Sequence, residues 1–461
     1  MRWVWALIAL SLPARLFLMQ RSIWLDEAWV ANSILEPAWR DMFYYPWFAQ
    51  STPPGFLFLV RLTGASGDFA LRLIPLAASV ASCWLLARAL LVKVGETAAI
   101  AAAGALACNY AAILYGTRLK QYSVDMFVAC LFLHAIASPP PRWARIALCT
   151  LAPFVSFTAV FFLPAIVWRG GAINALATAA AFAVNYFVFI VPNKSELFNN
   201  SWLGKFLDPA HPIDTLVRFF WSAGTLFLPV NSPYGWTIVA LAIVASMIGA
   251  WLVRRQGLTV AYAAPILVAI AMSFAGFYPL LDTPRIILWM LPCIALGLGA
   301  VAEKLPKWAV VVAAALAVAG MQYIYFTRPP AVEENCSAVA SLVGVDALYV
   351  HAATREQFDY YRRFHDFSKT KIVYGKTSYP CCMLRVNERA TYPDVRGFEN
   401  EMLAAISDHK RLWIYSPSGA EGHFGAFMRE HLAKLPSLRA GCRVAESRDF
   451  DQVRTTLLVC E

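Results

Sequence analysis

Long apolar runs alternate with short polar loops over the first 328 residues, and this pattern predicts membrane-spanning helices. A helix needs about 20 predominantly apolar residues to cross a bilayer. Eleven runs reach or approach this length, two of them as a folded-back pair within 143–168, and the others are Trp3–Met19, 70–92, 97–115, 121–138, 171–192, 236–253, 257–279, 285–302 and 308–327. We therefore predict a polytopic α-helical membrane protein with about eleven crossings.

The stretch 20–64 contains no run of spanning length. It is rich in Trp, Tyr and Phe, is broken by Pro46, and its most apolar part, 53–64, is about half as long as a crossing requires. Aromatic side chains favour the level of the lipid headgroups. We expect this stretch to form helices that lie in the outer interface.

Basic residues fall into alternate loops, and this alternation predicts the orientation of the chain. Cytoplasmic loops of membrane proteins carry an excess of Lys and Arg. One side of the predicted spans holds Arg88, Lys93, Arg142, Arg145, Arg169, Arg254, Arg255, Lys304 and Lys307. The opposite side holds Asp26, Glu27, the pair Arg118 and Lys120, and the long loop 193–235. An odd number of crossings from a cytoplasmic N-terminus then places everything after Arg328 outside the cytoplasm.

From Pro329 onward the apolar runs shrink to strand length and charged residues become frequent. Strand-like patterns cover 346–351, 371–374, 411–415 and 455–459, and helical spacing covers 354–364, 398–407 and 424–434. We predict a transmembrane domain over 1–328 and an extracytoplasmic α/β domain over 329–461.

Composition supports the assignment to membrane proteins and argues against a nucleic-acid partner. The chain is 59% hydrophobic and 15% charged, which is too apolar for a soluble multidomain protein. Its net charge of +10 is spread over short loops, so topology explains the charge and no nucleic-acid partner is expected. The first apolar run has no small-residue cleavage site, so we expect it to remain as the first helix.

The ten cysteines divide equally between the two predicted domains. Those in the spans are expected to be buried small hydrophobic residues, and they are Cys83, Cys108, Cys130, Cys149 and Cys293. Those in the predicted extracytoplasmic domain, where disulfides persist, are Cys336, Cys381, Cys382, Cys442 and Cys460. Cys442 and Cys460 flank a terminal strand pair, and a second bridge from Cys336 to Cys381 or Cys382 is an option. Five is an odd number, so one thiol should be left over, and the connectivity stays open. No zinc-finger spacing is present, so no metal ligands are assigned.

Two carboxylates stand between two tryptophans just after the first apolar run. Trp24 and Trp29 would hold Asp26 and Glu27 at the depth of a lipid headgroup. One interpretation is the acid/base group of an active site that works on a lipid-borne substrate. The structural alternative, equally weighted, makes Asp26 the N-cap and Glu27 a first-turn acid of a short helix over 28–35.

A basic segment follows the third predicted span. If the next helix begins near Arg118, then Arg118, Tyr122 and Asp125 share one helix face. Arg118 and Lys120 with the Tyr122 phenol suit a phosphate, whereas the alternative is that both cations reach ordinary anionic headgroups. A carboxylate inside a membrane helix is costly, and this favours a supporting role for Asp125.

Arg285 lies at the outer end of the tenth predicted crossing, as a second phosphate clamp or as a headgroup anchor. The chain has no His-Glu-x-x-His, no phosphate-binding glycine loop, no dinucleotide fingerprint and no Gly-x-Ser-x-Gly. These absences weigh against metalloprotease, ATPase, redox and serine-hydrolase functions.

The order of these motifs resembles the C-type membrane glycosyltransferases that use polyprenyl-phosphate sugars. The similarity is greatest to the bacterial branch related to protein O-mannosyltransferases and to the lipid A aminoarabinose and galacturonic acid transferases. The matching pieces are Trp24–Ala28, Thr52–Phe56, Lys120–Asp125, and Tyr278–Pro279 through Arg285 to Pro292. The likeness covers roughly residues 1–330. Each motif is short, and their order is what makes the resemblance moderately specific.

The resemblance implies a C-type glycosyltransferase fold and an inverting transfer from a polyprenyl-phosphate sugar to a lipid, glycan or protein acceptor, at the outer face of a bacterial inner membrane. Asp26 or Glu27 would activate the acceptor hydroxyl, and Lys120, Tyr122 and Arg285 would bind the donor phosphate. Some relatives use a divalent metal with an acidic pair, and this point stays open. The first outer loop and the exported domain are shorter than in the aminoarabinose enzymes, so sugar and acceptor also stay open.

Two other functions compete with sugar transfer. A lipid or sugar transporter or flippase would place ionisable groups near the bilayer midplane and show repeat symmetry, whereas here they gather at one face and no repeat appears. An assembly factor anchored by its helices would need fewer crossings.

Overall fold

The computed structural model describes residues 1–45, 52–64, 66–193, 202, 204–224, 226, 233–254, 257–281, 284–330, 334–375, 401, 404–405, 409–418, 441–450 and 453–460. The chain divides into two compact units. The first, which we call the helical unit, comprises Met1–Gln20, Ser51–Pro192 and Trp202–Pro329. The second, which we call the sheet unit, comprises Arg21–Gln50, Asn193–Ser201 and Pro330–Glu461.

The described α-helices follow one another closely along both units. In chain order they are α1 (Arg2–Met19), α2 (Leu25–Leu35), α3 (Trp39–Phe43), α4 (Pro54–Leu62), α5 (Asp68–Leu71), α6 (Leu73–Lys93), α7 (Glu96–Ala107), α8 (Tyr110–Gly116), α9 (Tyr122–Ala137), α10 (Arg142–Val155), α11 (Leu163–Gly170), α12 (Ala172–Asn185), α13 (Pro212–Gly224), α14 (Pro233–Leu252), α15 (Leu258–Phe274), α16 (Leu291–Ala302), α17 (Lys307–Thr327), α18 (Asn335–Ala340) and α19 (Arg355–Tyr361). Helices of the 3₁₀ type cover Phe157–Phe162 and Pro284–Met290.

Five helical stretches among the described residues are long and apolar enough to cross a membrane: Arg2–Met19, Leu73–Lys93, Ala172–Asn193, Arg285–Ala302 and Lys307–Thr327. The pair α7 and α8, bent by 61°, makes six if it forms one span. Shorter apolar helices cover Tyr122–Ala137, Phe157–Trp168, Ala240–Leu252 and Leu258–Phe274. The apolar helical architecture is thus confirmed, while the number of eleven crossings stays a prediction.

Small residues allow the helices of the helical unit to approach closely. A Cβ atom added at Gly249 of α14 would lie 1.8 Å from the carbonyl oxygen of Gly297 in α16. One added at Gly116 would lie 2.6 Å from the Ser79 side chain in α6. Helix packing in membranes depends on such contacts, because lipid tails are as apolar as the helix surfaces and burial drives association little.

The bend between α7 and α8 is held by two polar side chains. Asn109 caps α8, its Oδ1 accepting the Ala112 N–H at 2.9 Å. Arg15 of α1 is wholly buried and donates through Nη1 to the carbonyl oxygens of Ser11 at 3.0 Å and Ala107 at 3.4 Å. The positive guanidinium lies at the last carbonyl of α7, where it is attracted to the negative end of the helix dipole. Arg15 therefore stabilises the break between α7 and α8.

The sheet unit contains a mixed five-stranded sheet. Its strands are β1 (Ala347–Val350), β2 (Lys371–Tyr374), β3 (Arg411–Pro417), β4 (Cys442–Phe450) and β5 (Val453–Cys460). They lie in the order β2-β1-β3-β5-β4, with β1 parallel to β2 and β3, and β5 antiparallel to β3 and β4. All four predicted strands are present, whereas most of the predicted helices 398–407 and 424–434 lies outside the described residues.

A disulfide closes the β4–β5 hairpin. Cys442 and Cys460 are opposite each other in the strand register and are covalently bonded, as the flanking positions in the sequence predicted. Both are buried beside the apolar sheet residues Leu412, Ile414 and Leu458. The bond therefore joins the ends of the hairpin within the core of the sheet unit. Cys381 and Cys382 lie outside the described residues.

Candidate functional site

The predicted site residues fall into two groups, one in each unit. Asp26 and Glu27 belong to the sheet unit, in helix α2. The residues predicted to bind phosphate and their supporting acid belong to the helical unit, and they are Arg118, Lys120, Tyr122, Asp125 and Arg285.

Helix α2 begins three residues earlier than predicted. Its N-cap is Trp24, in an extended conformation (φ −92°, ψ 173°), so the prediction that Asp26 caps a helix from Ala28 is wrong. The reason is the third residue of the helix: the Glu27 carboxylate accepts the Trp24 N–H at 3.4 Å. An acidic side chain at this position accepts a hydrogen bond from a backbone N–H that has no partner within the helix.

The two carboxylates differ in exposure. Glu27 is completely buried, whereas Asp26 is only partly buried. Both lie in the first turn of α2, where the positive end of the helix favours a negative charge. Within the acidic pair, Asp26 is therefore the carboxylate that another molecule can reach more easily.

The basic segment between α8 and α9 is a turn and not the start of a helix. The Lys120 N–H donates to the Arg118 carbonyl at 2.7 Å, and α9 begins only at Tyr122. The predicted helix face that joins Arg118 to Tyr122 is therefore wrong. The Thr117 hydroxyl donates to the Leu114 carbonyl at 2.8 Å, satisfying the end of α8 and favouring its termination there.

The Tyr122 ring contacts another aromatic ring and lies near a cation. It meets the ring of Tyr115 edge to face, with centroids 5.5 Å apart. The Arg285 guanidinium carbon lies 6.0 Å from its centroid, at the limit of a cation–π contact. Lys120, two residues before, is buried, which is rare for lysine. The structure thus brings together Tyr122 and Arg285, which are far apart in the sequence.

Asp125 lies in the first turn of α9 and is buried. Its carboxylate is close to the Ser156 hydroxyl and to Tyr278, and within the described residues its Oδ1 has no hydrogen-bond partner. The Tyr278 hydroxyl donates to the Ile286 carbonyl at 2.7 Å and accepts the Trp289 Nε1–H at 3.2 Å. This network connects α9 to the 3₁₀ helix that carries Arg285.

Sequence reasoning missed two buried arginines of the helical unit. Arg15 is fully buried, and in the described part of the chain its Nε and Nη2 have no hydrogen-bond partner. Arg72 is almost fully buried and donates to the Met19 carbonyl at 3.0 Å. For Arg15 the signal was an arginine inside an apolar run, which is costly enough to indicate a structural or functional role.

Over the described ranges of the chain, no group of three or more His, Cys, Asp or Glu side chains could hold a metal ion.

No protein-family model matches the chain, and no curated protein matches it. Solved structures do match. The crystal structure of the Archaeoglobus fulgidus oligosaccharyltransferase in complex with Zn and sulfate superposes with a TM-score of 0.54 and 13% identity, over 95% of this chain and 71% of that one. The chain resembles the C-type membrane glycosyltransferases in fold.

Two crystal structures of ArnT from Cupriavidus metallidurans also align with the chain. Its apo structure and its structure bound to undecaprenyl phosphate give TM-scores of 0.47 and 0.45, each with 14% identity, over 99% of this chain and 97% of that one.

Proposed function

We propose that the protein is an inverting glycosyltransferase. It moves a sugar from a polyprenyl-phosphate donor to a lipid, glycan or protein acceptor at the outer face of a bacterial inner membrane. The observation that carries the proposal is the approach of Arg285 to the ring of Tyr122, beside the turn that contains Lys120. These are the three residues to which the resemblance of the ordered motifs assigns the donor phosphate, and the likeness in fold to an oligosaccharyltransferase supports the proposed class of activity.

The basic residues act on the leaving group. Transfer of the sugar leaves a polyprenyl phosphate, whose negative charge grows as the bond to the anomeric carbon breaks. Fixed cations at Lys120 and Arg285 stabilise this charge without a proton transfer, and Arg118 adds a further cation in the same turn. The Tyr122 hydroxyl supplies a neutral hydrogen-bond donor.

The acidic pair acts on the acceptor. The acceptor hydroxyl must lose its proton as its oxygen attacks the anomeric carbon, and a carboxylate within hydrogen-bond reach accepts this proton. Asp26, the more accessible of the two, is the base in this proposal, and Glu27 fixes the start of the helix that carries it. Inversion follows from a single displacement at the anomeric carbon.

The test is turnover of a labelled polyprenyl-phosphate sugar by the full chain in lipid vesicles, with and without a chelator. We expect Asp26→Asn to lower kcat by about 10²–10⁴-fold, the usual contribution of a general base. Glu27→Gln keeps an acceptor oxygen for the Trp24 N–H and should lower kcat less. Equal turnover by wild type and both variants would remove the acidic pair from the mechanism. Movement of the labelled lipid across the bilayer without product would instead support the flippase alternative.

A further inference from the structure

The chain that leads into α2 is held at a single residue, through the backbone groups on both sides of its Cα. Ile23 is fully buried, its N–H donates to the Tyr361 hydroxyl at 2.6 Å, and its carbonyl accepts from Asn335 Nδ2 at 3.0 Å. Tyr361 ends α19 and Asn335 begins α18, so two separate helices of the sheet unit hold the same residue. Asp26 follows only three residues later.

The Asn335 amide is itself anchored to the sheet. Its Oδ1 accepts a hydrogen bond from the hydroxyl of Tyr415 in β3, and both side chains are fully buried. An amide whose two ends are both bonded in a dry environment has little freedom to turn. The position of Ile23 is therefore set by the sheet through Asn335.

A second anchor lies near the other end of α2. Asn32 Nδ2 donates to the Glu356 carbonyl at 2.9 Å and to its Oε2 at 3.1 Å, and the Tyr45 hydroxyl donates to the same Oε2 at 3.0 Å. Glu356 is buried, so its carboxylate depends on these donors in place of water. Asn32 is seven residues after Leu25 and lies on nearly the same helix face, because seven residues make almost two turns.

Anchors at both ends fix the axis and the rotation of a short helix. Helices shorter than about 12–15 residues are marginal in water, so the 11-residue α2 depends on tertiary contacts for its direction. A displacement of about 1 Å in a reacting group can cost about 10²-fold in rate. Control of α2 is thus control of where the Asp26 carboxylate points.

We propose that the C-terminal part of the sheet unit is a positioning element for sugar transfer, with Asn335, Glu356 and Tyr361 as the positioning residues. This inference rests on the proposed function, because it assigns Asp26 to the chemistry. The positioning residues touch neither sugar nor phosphate. They act through α2, so they set kcat and leave donor binding nearly unchanged.

The test compares two tyrosine variants of the full chain in lipid. Tyr361→Phe removes the hydroxyl that binds Ile23. Tyr374→Phe is the matched control, since its hydroxyl donates to Asp359 of the same helix α19 at 2.7 Å and not to the backbone of Ile23. We measure kcat and donor KM with a labelled polyprenyl-phosphate sugar, and hydrogen exchange of the peptide 22–35. For Tyr361→Phe we expect kcat to fall about tenfold or more, donor KM to stay within about twofold, and exchange in 22–28 to rise. Tyr374→Phe should change none of these.

Glu356→Gln provides a graded second variant, because the amide keeps one acceptor oxygen for Asn32 or Tyr45. It should give a smaller fall in kcat, with faster exchange at 29–35. Faster exchange with an unchanged kcat would overturn the inference, as would equal losses in the Tyr361 and Tyr374 variants or no change in either measurement. If wild type transfers no sugar, the proposed function fails and the catalytic part of the inference fails with it, while the exchange data still report whether the anchors hold α2.

Discussion

At the scale of single residues, the position of Arg285 leads to a prediction about donor binding. Its guanidinium faces the Tyr122 ring, where a phosphate would receive both a charge and a planar pair of donors. Hydrogen bonds to charged groups contribute about 1.5–3 kcal/mol, so Arg285→Gln should raise donor KM by about 10- to 100-fold. Arg285→Lys keeps the charge but loses the planar pair of donors, so its donor KM should lie between those of wild type and Arg285→Gln. Initial rates at varied donor concentration measure the donor KM of both variants.

The control for Arg285 is another arginine that contacts an aromatic ring. Arg254 lies 3.7 Å from the Trp251 ring centroid and is exposed, on the side of the helical unit that the charge pattern assigns to the cytoplasm. Arg254→Gln removes the same charge and should leave donor KM unchanged. An equal rise in KM in both variants would mean that net charge, and not a phosphate contact, controls the affinity for the donor.

His351 predicts a pH dependence of stability. It is buried after β1, its Nδ1 accepts the Ala353 N–H at 3.1 Å, and burial lowers its pKa to about 4. Because the pKa in the folded chain is below the unfolded value of about 6.5, folding favours the neutral ring. The stabilisation is complete above about pH 6.5 and is lost as the pH falls towards 4, by up to roughly 3 kcal/mol.

Thermal unfolding of the full chain between pH 7.5 and 4.5 measures this loss. His351→Asn keeps an acceptor for the Ala353 N–H and does not titrate, so its melting temperature should fall less with acidification. Carboxylates titrate in both proteins, and the difference between the two curves isolates His351. Parallel curves would contradict the assignment.

At the scale of elements, the sequence predicted which segments are helical better than where they end. Periodicity and hydropathy identified the helix that follows Asp26 and the one that contains Tyr122, because both carry apolar faces. Their first residues depend on single hydrogen bonds, from the Trp24 N–H to Glu27 and from Thr117 to the Leu114 carbonyl. No pattern of apolar positions records such bonds. The predicted start of α2 was therefore displaced by three residues and the conditional start near Arg118 by four, whereas the apolar run 121–138 matches α9 to within one residue.

The close crossing of α14 and α16 predicts the effect of one methyl group. A Cβ at Gly249 would meet the backbone of Gly297, which cannot move without separating the helices. Gly249→Ala should therefore lower the melting temperature by a few degrees, since overpacking costs about 1–3 kcal/mol. Gly320 in α17 is the matched control, because a Cβ there would meet nothing within 4 Å.

Gly320→Ala should leave the melting temperature unchanged or raise it, as alanine favours a helix over glycine by about 1 kcal/mol. Thermal unfolding in one detergent, followed by tryptophan fluorescence, compares both variants with wild type. Equal melting temperatures for the two variants would show that α14 and α16 do not depend on this close approach.

At the scale of the whole molecule, the stretch that carries the acidic pair belongs with residues that follow it by more than 300 positions. Ile23 and Asn335 are separated by 312 residues, and Asn32 and Glu356 by 324. Composition marked the change of character near Pro329 but gave no sign that 21–50 joins the later unit. Long-range hydrogen bonds between polar side chains leave no periodic trace in a single sequence, so the membership of 21–50 in the sheet unit could not be predicted.

The orientation of the chain is the last prediction, and one helix decides it. Lys304 precedes α17 and Lys369 follows it in the sheet unit, and both side chains are exposed. If α17 crosses the membrane, cysteines at these positions must react from opposite sides. The basic loops assign Lys304 to the cytoplasm. A membrane-impermeant maleimide should therefore label Lys369→Cys on intact cells and Lys304→Cys only after permeabilisation. Mass spectrometry assigns the label to each peptide, so that the native cysteines do not obscure the result.

The reverse pattern of labelling would invert the topology and place the proposed transfer on the cytoplasmic face. Labelling of both from one side would mean that α17 does not span, and the odd number of crossings would then be wrong.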